Sequence, residues 1–106
     1  LELPRPRVVV SCYQGLQHAS RRLIAEALQC PVIDFYSATE FGGFVAGIAC
    51  AQGRLHARTD QVHLEIVGPD GVVEGDGLGW LAVTTFNRVM PLVRYLPGDV
   101  GRWSDE

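Results

Sequence analysis

The apolar positions of this chain follow two rhythms, one in its first third and another in the remainder. Val8, Val9 and Val10 form a short β-branched run between Pro6 and Gly15, the pattern of a buried strand over residues 7–12. From residue 18 to 29 the spacing becomes helical: Leu23, Ile24, Ala27 and Leu28 fall on one face, Arg21, Arg22 and Glu26 fall elsewhere, and Pro31 stops the helix. Val32, Ile33, Asp34, Phe35 and Tyr36 then predict a second strand. Strand, helix and strand within about thirty residues make a βαβ unit, with parallel strands in one sheet and the helix on a face.

After Tyr36 the texture is all-β. A turn-like stretch at 37–43 precedes an apolar run at 44–50, which Gln52 and Gly53 interrupt. Val62, Leu64 and Ile66 alternate with His63 and Glu65 as in a half-buried strand, and the turn chemistry of Gly68, Pro69, Asp70 and Gly71 sends the chain back as a hairpin into Val72 and Val73. Gly75, Gly77 and Gly79 lead into a strand at 80–86, and residues 92–95 run into a turn at Pro97, Gly98 and Asp99. The expected fold is mixed α/β: a βαβ piece of a parallel sheet followed by a small antiparallel β-barrel-like region.

Composition narrows the function classes. With 47% hydrophobic residues in 106, the chain can bury one modest core and belongs among globular sequences. A net charge of -3 without runs gives no cationic stripe to track nucleic acid, and no apolar stretch is long enough to cross a bilayer as a helix. Three widely spaced cysteines, Cys12, Cys30 and Cys50, read as free thiols rather than a disulfide framework, so the expected setting is cytoplasmic. All nine basic residues are Arg, which excludes any mechanism needing a lysine from this chain.

Chemistry concentrates after the second strand, at the carboxyl end of a parallel strand, where open α/β sheets bind ligands. Tyr36 offers a ring face, Ser37 and Thr39 offer hydroxyls, Glu40 is a hard ligand for Mg²⁺, and Gly42 and Gly43 permit close backbone approach. Taken alone, these residues read as a hydrophilic turn after a strand, with Thr39 and Glu40 doing no more than capping or meeting solvent.

Their neighbours add order. Tyr36-Ser37-Ala38-Thr39-Glu40 is similar to a Tyr-Gly-x-Thr-Glu motif, and residues 11–16 stand where that motif's family carries Gly-Gly-Glu-Pro-Leu. Phe41-Gly42-Gly43, Cys50, Gly53, His56, Asp60 and Glu65-Ile66-Val67 follow, then Gly79-Trp80-Leu81-Ala82-Val83-Thr84-Thr85 and Pro91-Leu92-Val93-Arg94-Tyr95-Leu96-Pro97-Gly98-Asp99. In this order and spacing, over residues 8–103, the chain resembles the adenylate-forming (AMP-binding) superfamily in its phenylacetate-CoA ligase-like branch.

The resemblance implies an internal piece of an AMP-forming acyl-CoA ligase, which joins a carboxylic acid to ATP and passes the acyl group to coenzyme A or a carrier-protein arm. Residues 1–43 would end an α/β nucleotide-binding subdomain and residues 44–106 would form a barrel-like one, both within a larger N-terminal domain. Tyr36 would stack on adenine with Ser37 beside it, Thr39 would contact the α-phosphate, Glu40 would help hold Mg²⁺, and Asp99, with Arg94 upstream, would accept bonds from the ribose hydroxyls. Phe41, Gly42 and Gly43 would border the pocket for an acid, aromatic in this branch. Cys50 and His56 match two ligands of a structural zinc site whose other two cysteines the chain lacks, and a buried thiol with a strand-end histidine is the competing reading.

The chain departs from the family at Cys12-Tyr13, where paired glycines stand, at Ser37, and at Leu96-Pro97 in place of Arg-Thr. These changes keep open a second reading, a degenerate, non-catalytic relative acting as a binding module; a third is a small zinc-stabilised β domain. Because the family's phosphate loop and catalytic lysine find no counterpart, no adenylation by these residues alone is expected. Strands removed from a larger sheet leave exposed edges, so self-association is expected too.

Overall fold

In the computed structural model, which describes residues 4–104, the chain forms two open four-stranded sheets and one long helix. The outermost residues of the two expected units, 1–3 and 105–106, lie outside the described residues. Strand β1 (Val9–Ser11), helix α1 (His18–Leu28) and strand β2 (Val32–Ser37) make the βαβ unit read from the sequence, with Val9 beside Val32 and Ser11 beside Asp34 in parallel register. Gln29 takes a left-handed conformation (φ 52°) and Pro31 follows, so the helix stops where its pattern said.

The face that α1 turns inward differs from the expected one. Leu23 is 68% exposed, and Leu28 is exposed as well. Arg21 points at the sheet instead, its Nε donating to the Val32 carbonyl at 3.0 Å and its Nη2 to the Cys50 carbonyl at 3.0 Å. Ile24 and Ala25 flank it, half-buried. A guanidinium can satisfy carbonyls at strand ends that leucine cannot, and this rotates the leucine stripe outward.

Strand β3 (Val45–Ala49) joins β2 antiparallel, and β4 (Leu55–Ala57) follows as a hairpin arm, giving the order β1-β2-β3-β4. Between Tyr36 and Ser37 the register shifts, and Ala46, facing neither directly, drops fully buried into the core. The second sheet is antiparallel throughout, in the order β6-β5-β7-β8: β5 (Val62–Gly68), β6 (Gly71–Val72), β7 (Gly79–Thr85) and β8 (Val100–Gly101). The hairpin expected at residues 68–71 closes with Gly68 opposite Gly71.

The expectation of a barrel-like region is not met. The second sheet is bounded by β6 and β8, each only two residues long, and a sheet closes on itself only when its edge strands can pair with one another. The core lies between the sheets instead: Phe41, Ala46, Val62 and Val83 are buried together, ringed by Tyr36, Leu64, Leu81, Leu92 and Tyr95. Phe41 belongs to a single 3₁₀ turn (Thr39–Phe41), so the loop after β2 is anchored from within.

Candidate functional site

The loops after β1 and β2 leave the sheet at the same end because those strands are parallel. In the first, Tyr13 adopts φ 88°, a conformation glycine takes at lowest cost, and its side chain is 89% exposed. Asp34, on β2, ties this loop down: its Oδ2 accepts the Leu16 backbone N–H at 3.2 Å, while its buried Oδ1 has no partner. The sequence reading passed over Asp34; the available signal was a lone carboxylate inside an apolar strand.

In the second loop, Tyr36 packs edge-to-face on Phe41 with ring centroids 6.1 Å apart, and its hydroxyl donates to Asp99 Oδ2 at 2.6 Å across 63 positions of sequence. Burial, then the hydrogen bond to Asp99 and that carboxylate's charge, push the Tyr36 phenol well above the ordinary tyrosine value. Glu40 lies on the same turn as Phe41, its Oε1 3.4 Å from the Tyr95 hydroxyl. Tyr95 is held to β7 by paired backbone hydrogen bonds with Val83 (2.8 and 2.9 Å), and the chain reaches Asp99 four residues later. Two carboxylates distant in sequence are therefore each joined to a tyrosine around the turn that ends β2.

Other expected residues take different places. Thr39 and Glu40 are exposed at the start of the 3₁₀ turn, but Phe41 is enclosed in the core at 0% exposure and lines no open surface. Gly42 (φ 65°) caps that turn, and a side chain there would collide with the Asn87 amide; Gly43 is open to solvent. The Ser37 hydroxyl donates to the Phe44 carbonyl at 2.9 Å. Arg94 sits at φ 49° and directs its guanidinium to Glu65, Nε to Oε2 3.1 Å, on the outer side of β5. Asp60 is gripped through both oxygens by Arg58, at 2.8 and 2.7 Å, and that hydrogen bonding holds its carboxyl below the usual range.

Cys50 and His56 lie at the other end of β3. Cys50 faces Arg54 across the hairpin (N to O 2.9 Å) and His56 faces Ile48, so Cys50 and His56 share a face as diagonal neighbours. Their hydrogen bond lowers the thiol pKa. Among the described residues no third histidine, cysteine or carboxylate joins them to form a metal-binding group, and tetrahedral zinc takes four ligands, so the donor set does not fit a structural zinc. Glu40, exposed and single, suits an Mg²⁺ ion that draws its other oxygens from phosphates and water.

No protein-family model matches the chain. No curated protein matches it by sequence. Solved structures do match. A 2-hydroxyisobutyryl-CoA ligase in an open conformation, in complex with 2-HIB-AMP and CoA, aligns with a TM-score of 0.80 at 20% identity, covering 94% of this chain and 25% of that one. The same ligase in the postadenylation state aligns at 0.72 with 23% identity, covering 92% and 22%. An anthranilate CoA ligase in complex with anthranoyl-AMP aligns at 0.62 with 19% identity, covering 81% and 17%. The chain thus shares the fold of a segment of adenylate-forming CoA ligases and spans about a quarter of the length of the first of them.

Proposed function

We infer that the chain is the nucleotide-facing segment of an adenylate-forming acyl- or aryl-CoA ligase of the phenylacetate-CoA ligase-like branch. The observation that carries this reading is the meeting of Tyr36, Glu40, Tyr95 and Asp99 at the carboxyl end of the parallel pair. Asp99 accepts the ribose hydroxyls, a task suited to an ionised carboxylate with two acceptor oxygens and no donor. Tyr36 presents its ring to adenine, with Phe41 bracing it from the core and fixing its tilt. Thr39 donates its hydroxyl to the α-phosphate, and Gly42 and Gly43 leave room for the apolar part of the acid.

Glu40 would hold Mg²⁺, which when bound would supply positive charge to neutralise the triphosphate. Positioning is this segment's contribution to the rate: it fixes the nucleotide so that an acid carboxylate meets the α-phosphorus in line. Without a lysine it supplies no ammonium for the charge that develops there, so thioester formation with coenzyme A, or with a carrier-protein arm, belongs to the longer enzyme.

Isothermal titration of the chain with AMP tests the reading. Binding is expected, with Asp99→Asn weakening it about tenfold, the scale of one charge-assisted hydrogen bond. No pyrophosphate is expected from ATP and aryl acids with the chain alone. Absence of AMP binding, or indifference to Asp99→Asn, would falsify the proposal. A non-catalytic binding module is the second reading, favoured by the exposed Tyr13 where the family carries glycine; the parent enzyme binding ATP without releasing pyrophosphate would select it.

A further inference from the structure

Strand alternation gives the second sheet two faces. Ile66, Leu81 and Val83 pack into the core, so Glu65, Val67 and Trp80, one residue away on β5 and β7, point the other way. On that outer face the register lines up one apolar side chain from every strand: Val72 beside Val67, Val67 beside Trp80, and Trp80 beside Val100. The row crosses the sheet for about 14 Å, three strand spacings. Val72, Trp80 and Val100 within it are exposed. The next row carries charge. Glu65 lies two residues from Val67 on the same face, and Arg94 reaches it from the edge of β7 away from β5, Nε to Oε2 3.1 Å. This ion pair therefore runs across the strands, its negative end at β5 and its positive end toward β8.

We propose that this outer face binds a second copy of the chain, row against row, about a two-fold axis parallel to the strands and midway between β5 and β7. Such an axis sets β6 opposite the second copy's β8 and β5 opposite its β7. Each Trp80 then lies on the other copy's Val67, large on small, and each Val72 on the other copy's Val100. The same operation brings each Glu65 to the other copy's Arg94. The patch is thus its own complement in size and in charge, which is what a two-fold contact requires. Two facing sheets leave room for one interdigitated layer of side chains. Four apolar side chains and an ion pair make less than the roughly 800 Å² per partner of a stable complex, so the dimer is reversible and depends on concentration. The contact uses none of Tyr36, Glu40, Tyr95 and Asp99 and stands whether or not the chain binds a nucleotide.

Sedimentation equilibrium over a hundredfold range of concentration tests this. A monomer–dimer equilibrium is expected, and Trp80→Lys, at an exposed position, should weaken it at least tenfold with the circular dichroism spectrum unchanged. Leu23→Glu, on the outer side of α1, should leave it unaltered. Glu65→Arg alone and Arg94→Glu alone should each be monomeric, because each sets like charges against one another, whereas an equimolar mixture of the two should recover the dimer. That recovery also shows that both variants are folded. A monomer at every concentration, association that ignores Trp80→Lys or is lost with Leu23→Glu, or a mixture that stays monomeric would overturn the proposal.

Discussion

Tyr36 shows how one side chain's chemistry can be set by a residue far along the chain. Its phenol is half-buried and donates to Asp99, so its pKa rises above the ordinary tyrosine value of about 10. The folded state then keeps a proton that the unfolded chain releases. Stability is intact below about pH 10 and falls as pH climbs beyond it, because deprotonation increasingly favours the unfolded form. Urea unfolding at pH 9 and pH 11 should show Tyr36→Phe losing less stability over that interval than the unaltered chain; parallel losses would refute the account. Tyr13 offers a second check. Its positive φ and exposed ring mean that Tyr13→Gly relieves strain and removes no packing, and a gain of up to about 1 kcal/mol is expected in denaturant melts. Tyr36 and Glu40 were legible as candidates by residue type and by their place after a parallel strand, and Asp99 through the family resemblance alone. That Ser37 bonds the Phe44 carbonyl and Arg94 bonds Glu65 was not, because a side chain's partner depends on which strands become neighbours.

At the level of elements, local pattern served well wherever local contacts decide. The βαβ unit and the hairpin at residues 68–71 form as their apolar periods and turn residues dictate. The inward face of α1 was misread, since a helical pattern counts leucines and cannot see that strand-end carbonyls await a donor. Strands β4 and β8 were missed because they are short and have neither the valine run that marks β1 nor the turn chemistry that announces β6. Gly79 shows a constraint that pairing alone imposes: a Cβ there would stand 2.6 Å from the Val67 carbonyl oxygen and 2.8 Å from Ile66 Cγ2. Backbone oxygens in a ladder cannot step aside, so Gly79→Ala should cost about 2 kcal/mol in chemical denaturation. A cost near zero would mean that β5 and β7 pack less closely than described.

Across the whole molecule, apolar surface remains in view on several sides. Val8 and Val10 flank edge strand β1, Leu23 and Leu28 cover the outer side of α1, and Val89 and Val93 are exposed in the segment between β7 and Tyr95. Open edges and uncovered leucines favour pairing with another copy, and multi-angle light scattering at high concentration should detect a dimer or larger assembly. A strictly monomeric chain would contradict this. The sequence by itself determined the parallel pair with its helix and the antiparallel hairpin, because apolar period and turn chemistry are local properties, and its motif order, by resemblance, offered Tyr36, Thr39, Glu40 and Asp99 as candidates. Tertiary structure alone decided that the sheets stay open and that Phe41 sits in the core against Tyr36. Each of these depends on which distant strands meet, and that choice is made by packing summed over the whole chain.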